Sequence, residues 1–292
     1  MNNATKVTPT HLESPGGRAG RCRKARVPLG PLGQNYPAGS ALAARLLPAY
    51  ARREMDTSAI IVAVTAHGEH GAVVRLLSAD GLIAGYVPGG RSRAQRPVLQ
   101  PGNGVAVRLR ARSPGALPTA AVELVRARTG LATERATATA VDYLTALVAT
   151  VLDDGVAQPH LFAALDGVLD AMSFAATPAD WLPGVARFEL LLLAELGFGL
   201  DLATCAATGE AAATADLAFV SPKSSHAVGR AAGTPYAAKL LPLPAFLLGG
   251  DPPTPTDLAA GLRTTGWFLE RDVLTGRAAG LLAARGRMTT AG

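Results

Sequence analysis

The sequence predicts an α+β protein with two main domains, in which a small five-stranded β-barrel precedes a helical half. Five short β-patterned runs lie between residues 56 and 130, glycine- and proline-containing turns separate them, and apolar residues recur at helical spacing from residue 133 onward. With 292 residues and 49% hydrophobic content, the chain is long enough for two ordinary domains with sizeable cores. We expect an extension over 1–54, a barrel over 55–132 and a helical domain over 133–292.

The first 54 residues have no sustained periodicity and are rich in Pro, Gly, Arg and Ala, which predicts a disordered or mis-annotated extension. Within it, 41–53 has the pattern of a short helix, and the basic run RCRKAR is either a nucleic-acid arm or a segment without function. Met55 directly precedes the first β-patterned run and is our candidate for the true start.

The barrel prediction depends on five β-rich runs in roughly seventy-five residues, which is the size of an OB-fold barrel, whose closure hides the sheet edges. Asp80-Gly81, Gly89-Gly90 and Pro101-Gly102 are typical of the turns between such strands. The runs are AIIVAV, AVVRLL, IAGYV, GVAVRLRAR and AAVELVRAR.

The barrel region carries nine arginines against four acids, and its fourth and fifth runs hold five of them. Arg108, Arg110 and Arg112 alternate with small apolar residues and would share one strand face, which we expect to lack matching acids. Such a stripe favours contact with backbone phosphates, although single surface arginines are usually just solvated. Tyr86 is the sole aromatic residue in the runs, and its role as core or as stacking partner stays open. The candidate DNA-binding residues are Arg75, Arg91, Arg93, Arg96, Arg108, Arg110 and Arg112.

The second half predicts helices separated by an irregular insert over 200–240. Apolar periodicity indicates each helix, Gly197 suits a C-cap, and Thr256 is the expected N-cap after the proline-rich linker DPPTP. The apolar run 188–200 is too short to span a bilayer and contains two glutamates, so it indicates a buried amphipathic helix. The predicted helices cover 141–152, 161–174, 181–196, 256–274 and 277–285.

No motif in the sequence argues for an enzyme. His67 and His70 could ligate a metal, but they stand in a glycine turn without a third ligand nearby. The serines at 221, 224 and 225 lack a nucleophile elbow, and no phosphate-binding GxxxxGK[ST] loop is present. The first residues also lack the apolar region of a secretory signal. The two cysteines, Cys22 and Cys205, are not expected to form a disulfide, which fits a reducing compartment.

The stretch HGEHGAVVRLLSADGLIAGYVPGGRSRAQRPVLQPG resembles the RecO family of DNA repair and recombination mediators. The second half agrees in order, with FELLLLAELGFGLDLATCAATG, then FVSPKSS, then TGWFLERDVL. The resemblance covers about residues 55 to 282 and several separated motifs. It implies an N-terminal OB-fold domain followed by a helical domain, and it places Arg91 and Arg93 at basic positions that the family uses for DNA.

The resemblance also implies what the protein does. Members of the family bind single- and double-stranded DNA, anneal complementary strands, and act in the RecF pathway without a catalytic site. They work with RecR and with the single-strand binding protein SSB to let RecA replace SSB, which implies a bacterial cytoplasmic, nucleoid-associated location and no cofactor. Two alternatives remain: a non-catalytic interaction module whose barrel no longer binds DNA, and an enzyme whose site is too dispersed to recognise.

One departure from the family pattern concerns a four-cysteine zinc site in the irregular insert. Here Cys205 is the only one of the four, and Thr208 stands at the position of the second. A structural zinc needs about four ligands, and Cys205 with His226 would supply at most two. We therefore expect a degenerate site that binds no metal, with Cys205 a small buried residue.

The resemblance further implies that the helical half receives the acidic C-terminal tail of SSB. Such a tail needs an apolar pocket for its terminal ring and a cation for its carboxylates. Leu190, Leu193 and Gly197 fall near one face of the third predicted helix. Arg187 and Lys223 are the candidate cations, and each is equally compatible with an ordinary ion pair or a solvated position.

Overall fold

The structure is a computed structural model that describes residues 54–113 and 115–290. These residues belong to one compact unit, so the barrel and the helices can be described together. The predictions for 1–53, including the short helix at 41–53 and the RCRKAR run, lie outside the described residues. The first strand already includes Glu54, the last residue of the predicted extension.

The N-terminal half is a closed barrel with strand order β1-β2-β3-β5-β4, which confirms the predicted OB-fold architecture. The first strand is long enough to pair with β4 through its first half and with β2 through its second half. The third and fifth strands are parallel and meet at a single pair, Tyr86 with Thr119, which closes the barrel. The strands are β1 Glu54–His67, β2 Gly71–Ser78, β3 Gly81–Val87, β4 Gly104–Arg110 and β5 Thr119–Arg126.

Alternating side chains explain the barrel core. On β4, Val105, Val107 and Leu109 point inward and are buried, whereas Arg108 and Arg110 are exposed, as the pattern predicts. The turn between β2 and β3 needs Gly81, because its φ is +113° and a Cβ there would lie 2.1 Å from the Val156 carbonyl oxygen.

The C-terminal half contains six α-helices in the described residues, and each of the five long ones overlaps a predicted segment, although the last begins three residues later and ends five residues later than predicted. The N-cap of the fifth helix is Thr254, so the expectation of Thr256 is wrong. Thr254 Oγ1 accepts from the Asp257 backbone N–H at 3.2 Å, and Pro255 takes the first helical position. Hydrogen bonds from the Thr254 hydroxyl and backbone N–H lower the pKa of Asp257. The helices are α1 Arg135–Val151, α2 Pro159–Phe174, α3 Pro178–Glu195, α4 Arg230–Gly233, α5 Pro255–Asp272 and α6 Gly280–Thr290.

The insert between α3 and α5 is more regular than predicted. It contains a three-stranded sheet in the order β7-β6-β8, so the prediction of an irregular 200–240 segment is wrong in part. The strands are two to four residues long, which is too short for an alternating pattern to show in the sequence. Their bounds are β6 Leu217–Val220, β7 Ala227–Gly229 and β8 Leu241–Pro242.

A buried carboxylate joins four helices of the C-terminal half. Glu189 of α3 is fully buried, and its oxygens accept from Tyr143 of α1 at 2.7 Å and from Thr265 of α5 at 2.5 Å. Arg285 of α6 donates to the same carboxylate at 2.7 and 2.8 Å. Burial, and secondarily the Glu189 charge, raises the pKa of Tyr143 well above its usual value. The α3 segment is thus a buried helix, as expected, and its glutamate is fully partnered.

A second polar cluster joins the barrel to the helices. Just after β5, the Arg128 side chain is only 1% exposed, and its Nη2 donates to Asp166 at 2.7 Å and to Asp170 at 2.5 Å on α2. Its Nη1 donates to the Gly102 carbonyl at 3.1 Å, and its backbone N–H donates to Asn103 Oδ1 at 2.8 Å. We call these residues, Arg128, Asp166, Asp170 and Asn103, the interdomain cluster.

The interdomain cluster predicts that replacing either of two neighbouring arginines with alanine lowers the free energy of unfolding, but by very different amounts. Arg126 contacts the same two aspartates but is 49% exposed. Arg128→Ala leaves both carboxylates partly buried without their main partner and should lower the free energy of unfolding by about 2–4 kcal/mol. Arg126→Ala should cost less than about 1 kcal/mol, because exposed ion pairs are screened. Urea denaturation of both variants measures this, and equal losses would contradict the role assigned to Arg128.

Candidate nucleic-acid interface

The loop between β3 and β4, residues 88–103, carries Arg91, Arg93 and Arg96, and all three are exposed. The loop is anchored at its far end, where Leu99 is buried in the barrel core. Asn103 Nδ2 also donates to the carbonyl oxygens of residues 97 and 98, at 3.0 Å each. The three arginines therefore project from a loop whose base is fixed, and we call 88–103 the arginine loop.

Arg91 packs against the β1–β2 turn. Its backbone N–H donates to the His70 carbonyl at 3.0 Å, and its Nη1 donates to the carbonyls of Gly68 and Glu69 at 3.3 and 3.1 Å. An open cavity of about 460 Å³ lies between the turn and the arginine loop. Backbone carbonyls, not a carboxylate, hold this guanidinium, so it keeps its net positive charge. The cavity is lined by Glu69, His70, Gly89, Arg91, Ser92 and Arg96.

Four candidate arginines form no ion pair with any residue in 54–113 or 115–290: Arg91, Arg93, Arg96 and Arg112. Arg112 lies two residues beyond the end of β4 and is exposed. An exposed guanidinium without a carboxylate partner is available to an external anion. The arginine loop thus concentrates the charge that could bind phosphates.

The arginines of β4 differ, because β1 supplies their partners. The strand register places Glu54 opposite Arg110 and Asp56 opposite Arg108. Arg110 Nη2 lies 2.9 Å from Glu54 Oε1, and Arg108 Nε lies 2.9 Å from Asp56 Oδ1. The expectation that this face lacks matching acids is therefore wrong. One of the two partners, Glu54, is the last residue of the segment that the sequence predicted to be an extension outside the barrel.

Arg75 is not brought together with the arginine loop. On β2, it faces the helical half, where its guanidinium donates to the Ala149 carbonyl of α1 and lies 2.6 Å from Asp154 Oδ1. Its contacts therefore connect the barrel to the end of α1.

An aromatic ring contact, not predicted from the sequence, lies at the same end of the barrel as the arginine loop. His67, the last residue of β1, meets Tyr86 of β3 edge-on, with ring centroids 5.6 Å apart. The two residues are nineteen positions apart in the sequence. Only the pairing of both strands with β2 brings them together.

The two candidate partner-binding cations lie on different elements. Arg187 of α3 is exposed, donates to the Phe246 carbonyl at 2.9 Å, and has its guanidinium carbon 5.9 Å from the centre of the Phe246 ring. Leu193 is fully buried and Leu190 partly buried, so Leu193 is not open to a ligand. Lys223 is exposed and forms no ion pair with the described residues.

The turn that carries Lys223 is firmly held. Arg271 of α5 donates to the Pro222 carbonyl and to Ser225 Oγ, the latter at 2.9 Å. The same guanidinium lies over the rings of Trp267 and Phe268, 5.0 and 4.8 Å from their centres. Lys223 therefore projects from a rigid position.

In the insert, Cys205 is a buried free thiol. Its Sγ accepts from the Gly229 backbone N–H at 3.2 Å. A hydrogen bond from the Thr208 side chain, and then that from Gly229, lowers the pKa of the thiol to about 7. Thr208, at the position of the second family cysteine, thus interacts with the remaining one. No group of three or more His, Cys, Asp or Glu side chains in the described residues could hold a metal ion.

The class of protein that these observations define has a closed five-stranded OB-fold barrel, with exposed arginines on one loop, followed by a helical domain. Residues 53–128 match the family model described as "Recombination protein O N terminal", and residues 132–277 match the one described as "Recombination protein O C terminal". The chain belongs to the RecO family. Its role is that of a DNA repair and recombination mediator, and membership implies DNA binding and involvement in the DNA-repair machinery.

Curated relatives support the same assignment across both halves. The DNA repair protein RecO of Rhizobium etli is 45% identical over 236 residues, covering 80% of this chain and 90% of the relative. That of Rhodospirillum rubrum is 42% identical over 240 residues, covering 80% and 94%. That of Caulobacter vibrioides is 41% identical over 223 residues, covering 75% and 89%. None of the helices in the described part of the chain is long and apolar enough to cross a membrane.

The Cys205 environment predicts that the protein folds without zinc, because backbone and Thr208 donors already satisfy the thiol. A chelator should leave the melting temperature unchanged, and metal analysis of the purified protein should find well under one zinc per chain. A buried structural zinc would instead contribute folding free energy that the chelator removes. Stoichiometric zinc would contradict the prediction, and His226→Ala would then test the first additional ligand.

Proposed function

We propose that the arginine loop binds the phosphates of single- and double-stranded DNA. The observation that supports this most directly is that Arg91, Arg93 and Arg96 are exposed on one anchored loop without a carboxylate ion pair to any described residue. Phosphate contacts of this kind are independent of sequence and sensitive to salt. Arg112 extends the surface. Arg108 and Arg110 join it only where phosphates displace Asp56 and Glu54, and Arg75 contributes least because it serves the interdomain contact.

We further propose that the chain anneals complementary strands and helps RecA replace SSB, together with RecR, as a non-enzymatic protein of the bacterial cytoplasm. The support is membership of the family, together with the lack of a catalytic motif in the sequence. A surface that neutralises phosphates on two strands lowers their repulsion, which is what annealing requires. This proposal needs no cofactor.

The competing proposal is a protein-interaction module whose barrel no longer engages DNA. The ion pairs of Arg108 and Arg110 with β1 favour it, because they neutralise two of the three arginines of the predicted stripe. The free charges of the arginine loop favour DNA binding. The two proposals differ in the salt dependence of DNA affinity.

Replacing Arg91 and Arg93 together with Ala should weaken binding to all DNA sequences alike. The slope of log affinity against log salt should become shallower by roughly 0.7 per lost contact on single-stranded DNA, because fewer counterions are released. Fluorescence anisotropy over a salt series measures both quantities. The matched control is Arg108→Ala with Arg110→Ala, where paired arginines are removed and a smaller change is expected. Wild-type affinity of the Arg91/Arg93 variant at moderate salt would contradict the proposed surface.

We propose that the acidic tail of SSB binds the helical half, with Lys223 and Arg187 as the cations that meet its carboxylates. Lys223→Glu should abolish capture of an SSB tail peptide and leave binding to naked DNA intact, because a reversed charge repels the peptide. Arg187→Glu should likewise weaken capture of the tail peptide and leave binding to naked DNA intact. Lys239→Glu, at another exposed lysine of the helical half, serves as the control for a general charge effect. Unchanged peptide affinity in both variants would contradict this placement.

A further inference from the structure

His67 and Tyr86 make a two-ring surface at one end of the barrel. They approach from opposite sides of β2, since β1 pairs His67 with Gly71 and β3 pairs Tyr86 with Val73. Their planes are inclined by 73°, an edge-on contact typical of aromatic pairs. His67 is exposed and Tyr86 is partly exposed, so the pair is not buried in the barrel core.

The Tyr86 ring occupies a defined place. A Cβ on Gly71 would lie 2.4 Å from a ring carbon, so the ring rests directly over the backbone of that glycine. The backbone N–H of Tyr86 donates to the Pro118 carbonyl at 2.8 Å. The ring is therefore held by the barrel before any ligand binds, which reduces the entropy lost on binding.

The two-ring surface adjoins the arginine loop. His67 directly precedes Gly68 and Glu69, whose carbonyls accept hydrogen bonds from Arg91. On the other side, Leu117 precedes Pro118 and is 47% exposed. Apolar and aromatic surface thus lies beside free positive charge.

This combination suits one class of ligand. Single-stranded nucleic acid presents phosphates beside bases with free π-faces, whereas in a duplex the bases are already stacked and paired. We propose that His67 and Tyr86 form a platform on which bases of a DNA single strand stack while the arginine loop holds the adjoining phosphates. This inference rests on the proposed DNA binding of the arginine loop and adds a single-strand preference to it. On duplex DNA, whose bases are already stacked and paired, binding would depend on the phosphate contacts.

The experiment compares two ligands with the same number of phosphates, a single-stranded oligonucleotide and one whose central nucleotides are abasic. Affinities are measured for the wild type, for Tyr86→Leu, which keeps apolar bulk but removes the aromatic ring, and for Tyr86→Phe, which keeps the ring. His67→Leu, on the exposed edge of the turn, provides a variant with little effect on the core. Duplex DNA serves as the third ligand.

Stacking predicts that Tyr86→Leu and His67→Leu each weaken binding to the normal single strand about fivefold or more. Neither should change binding to the abasic strand or to the duplex, and Tyr86→Phe should resemble the wild type. A 2-aminopurine base in the strand should be quenched by the wild type and by Tyr86→Phe, and less by the two leucine variants.

Two results would overturn the platform and leave DNA binding by the arginine loop intact. One is equal affinity of the wild type for normal and abasic strands. The other is an equal loss on all three ligands in His67→Leu, which would indicate a structural role. A failure of the proposed function looks different, because the Arg91/Arg93 double alanine variant would then bind all three ligands with wild-type affinity at moderate salt.

Discussion

The guanidinium of Arg128 is buried where the barrel meets the helices, and the placement of several elements depends on it. A buried cation is tolerated when its charge is neutralised and most of its donors are satisfied, and here only Nε of the guanidinium nitrogens has no hydrogen-bond partner. Asp166 and Asp170 are four residues apart on α2, so both lie on one helix face and meet this cation together. Asn103 receives the Arg128 backbone N–H and donates to two carbonyls at the base of the arginine loop. The loop position therefore depends on a contact with the helical half.

Much of the architecture could be predicted because it is encoded locally. Side-chain alternation and glycine turns identify the five strands, and helical periodicity identifies α1, α2, α3 and α5. Pairing between distant residues could not be predicted: which acid lies opposite Arg110 depends on the register of β1 against β4, and that register is set by the whole barrel. The burial of Arg128 was hidden for the same reason, because a basic residue at a strand end is ordinarily exposed. The short strands of the insert leave no pattern.

For the candidate site, too, some features could be predicted from the sequence and others could not. Alternation was sufficient to place Arg108 and Arg110 on the outer face, but not to show that β1 neutralises them. The loop arginines were identified by composition, and their freedom from ion pairs followed only from the geometry. The contact of His67 with Tyr86 had no sequence signal, since a histidine beside a glycine turn is most simply a polar turn residue. The arginines of the loop thus differ from those of β4 because they have no carboxylate partner, and the number of arginines alone does not show this difference.

The single pair that closes the barrel, Tyr86 with Thr119, has a consequence for its internal motions. Each of the four other seams pairs seven or eight residues of one strand with its neighbour, whereas this one depends on one pair and the Pro118 hydrogen bond. Local opening requires the least free energy where the fewest hydrogen bonds are broken, so we expect the barrel to open most readily at this seam and its amide protons to exchange fastest there. A ligand lying across Tyr86 and Pro118 would bridge the seam. Binding of such a ligand would then slow amide proton exchange along both β3 and β5, including at residues that the ligand does not contact.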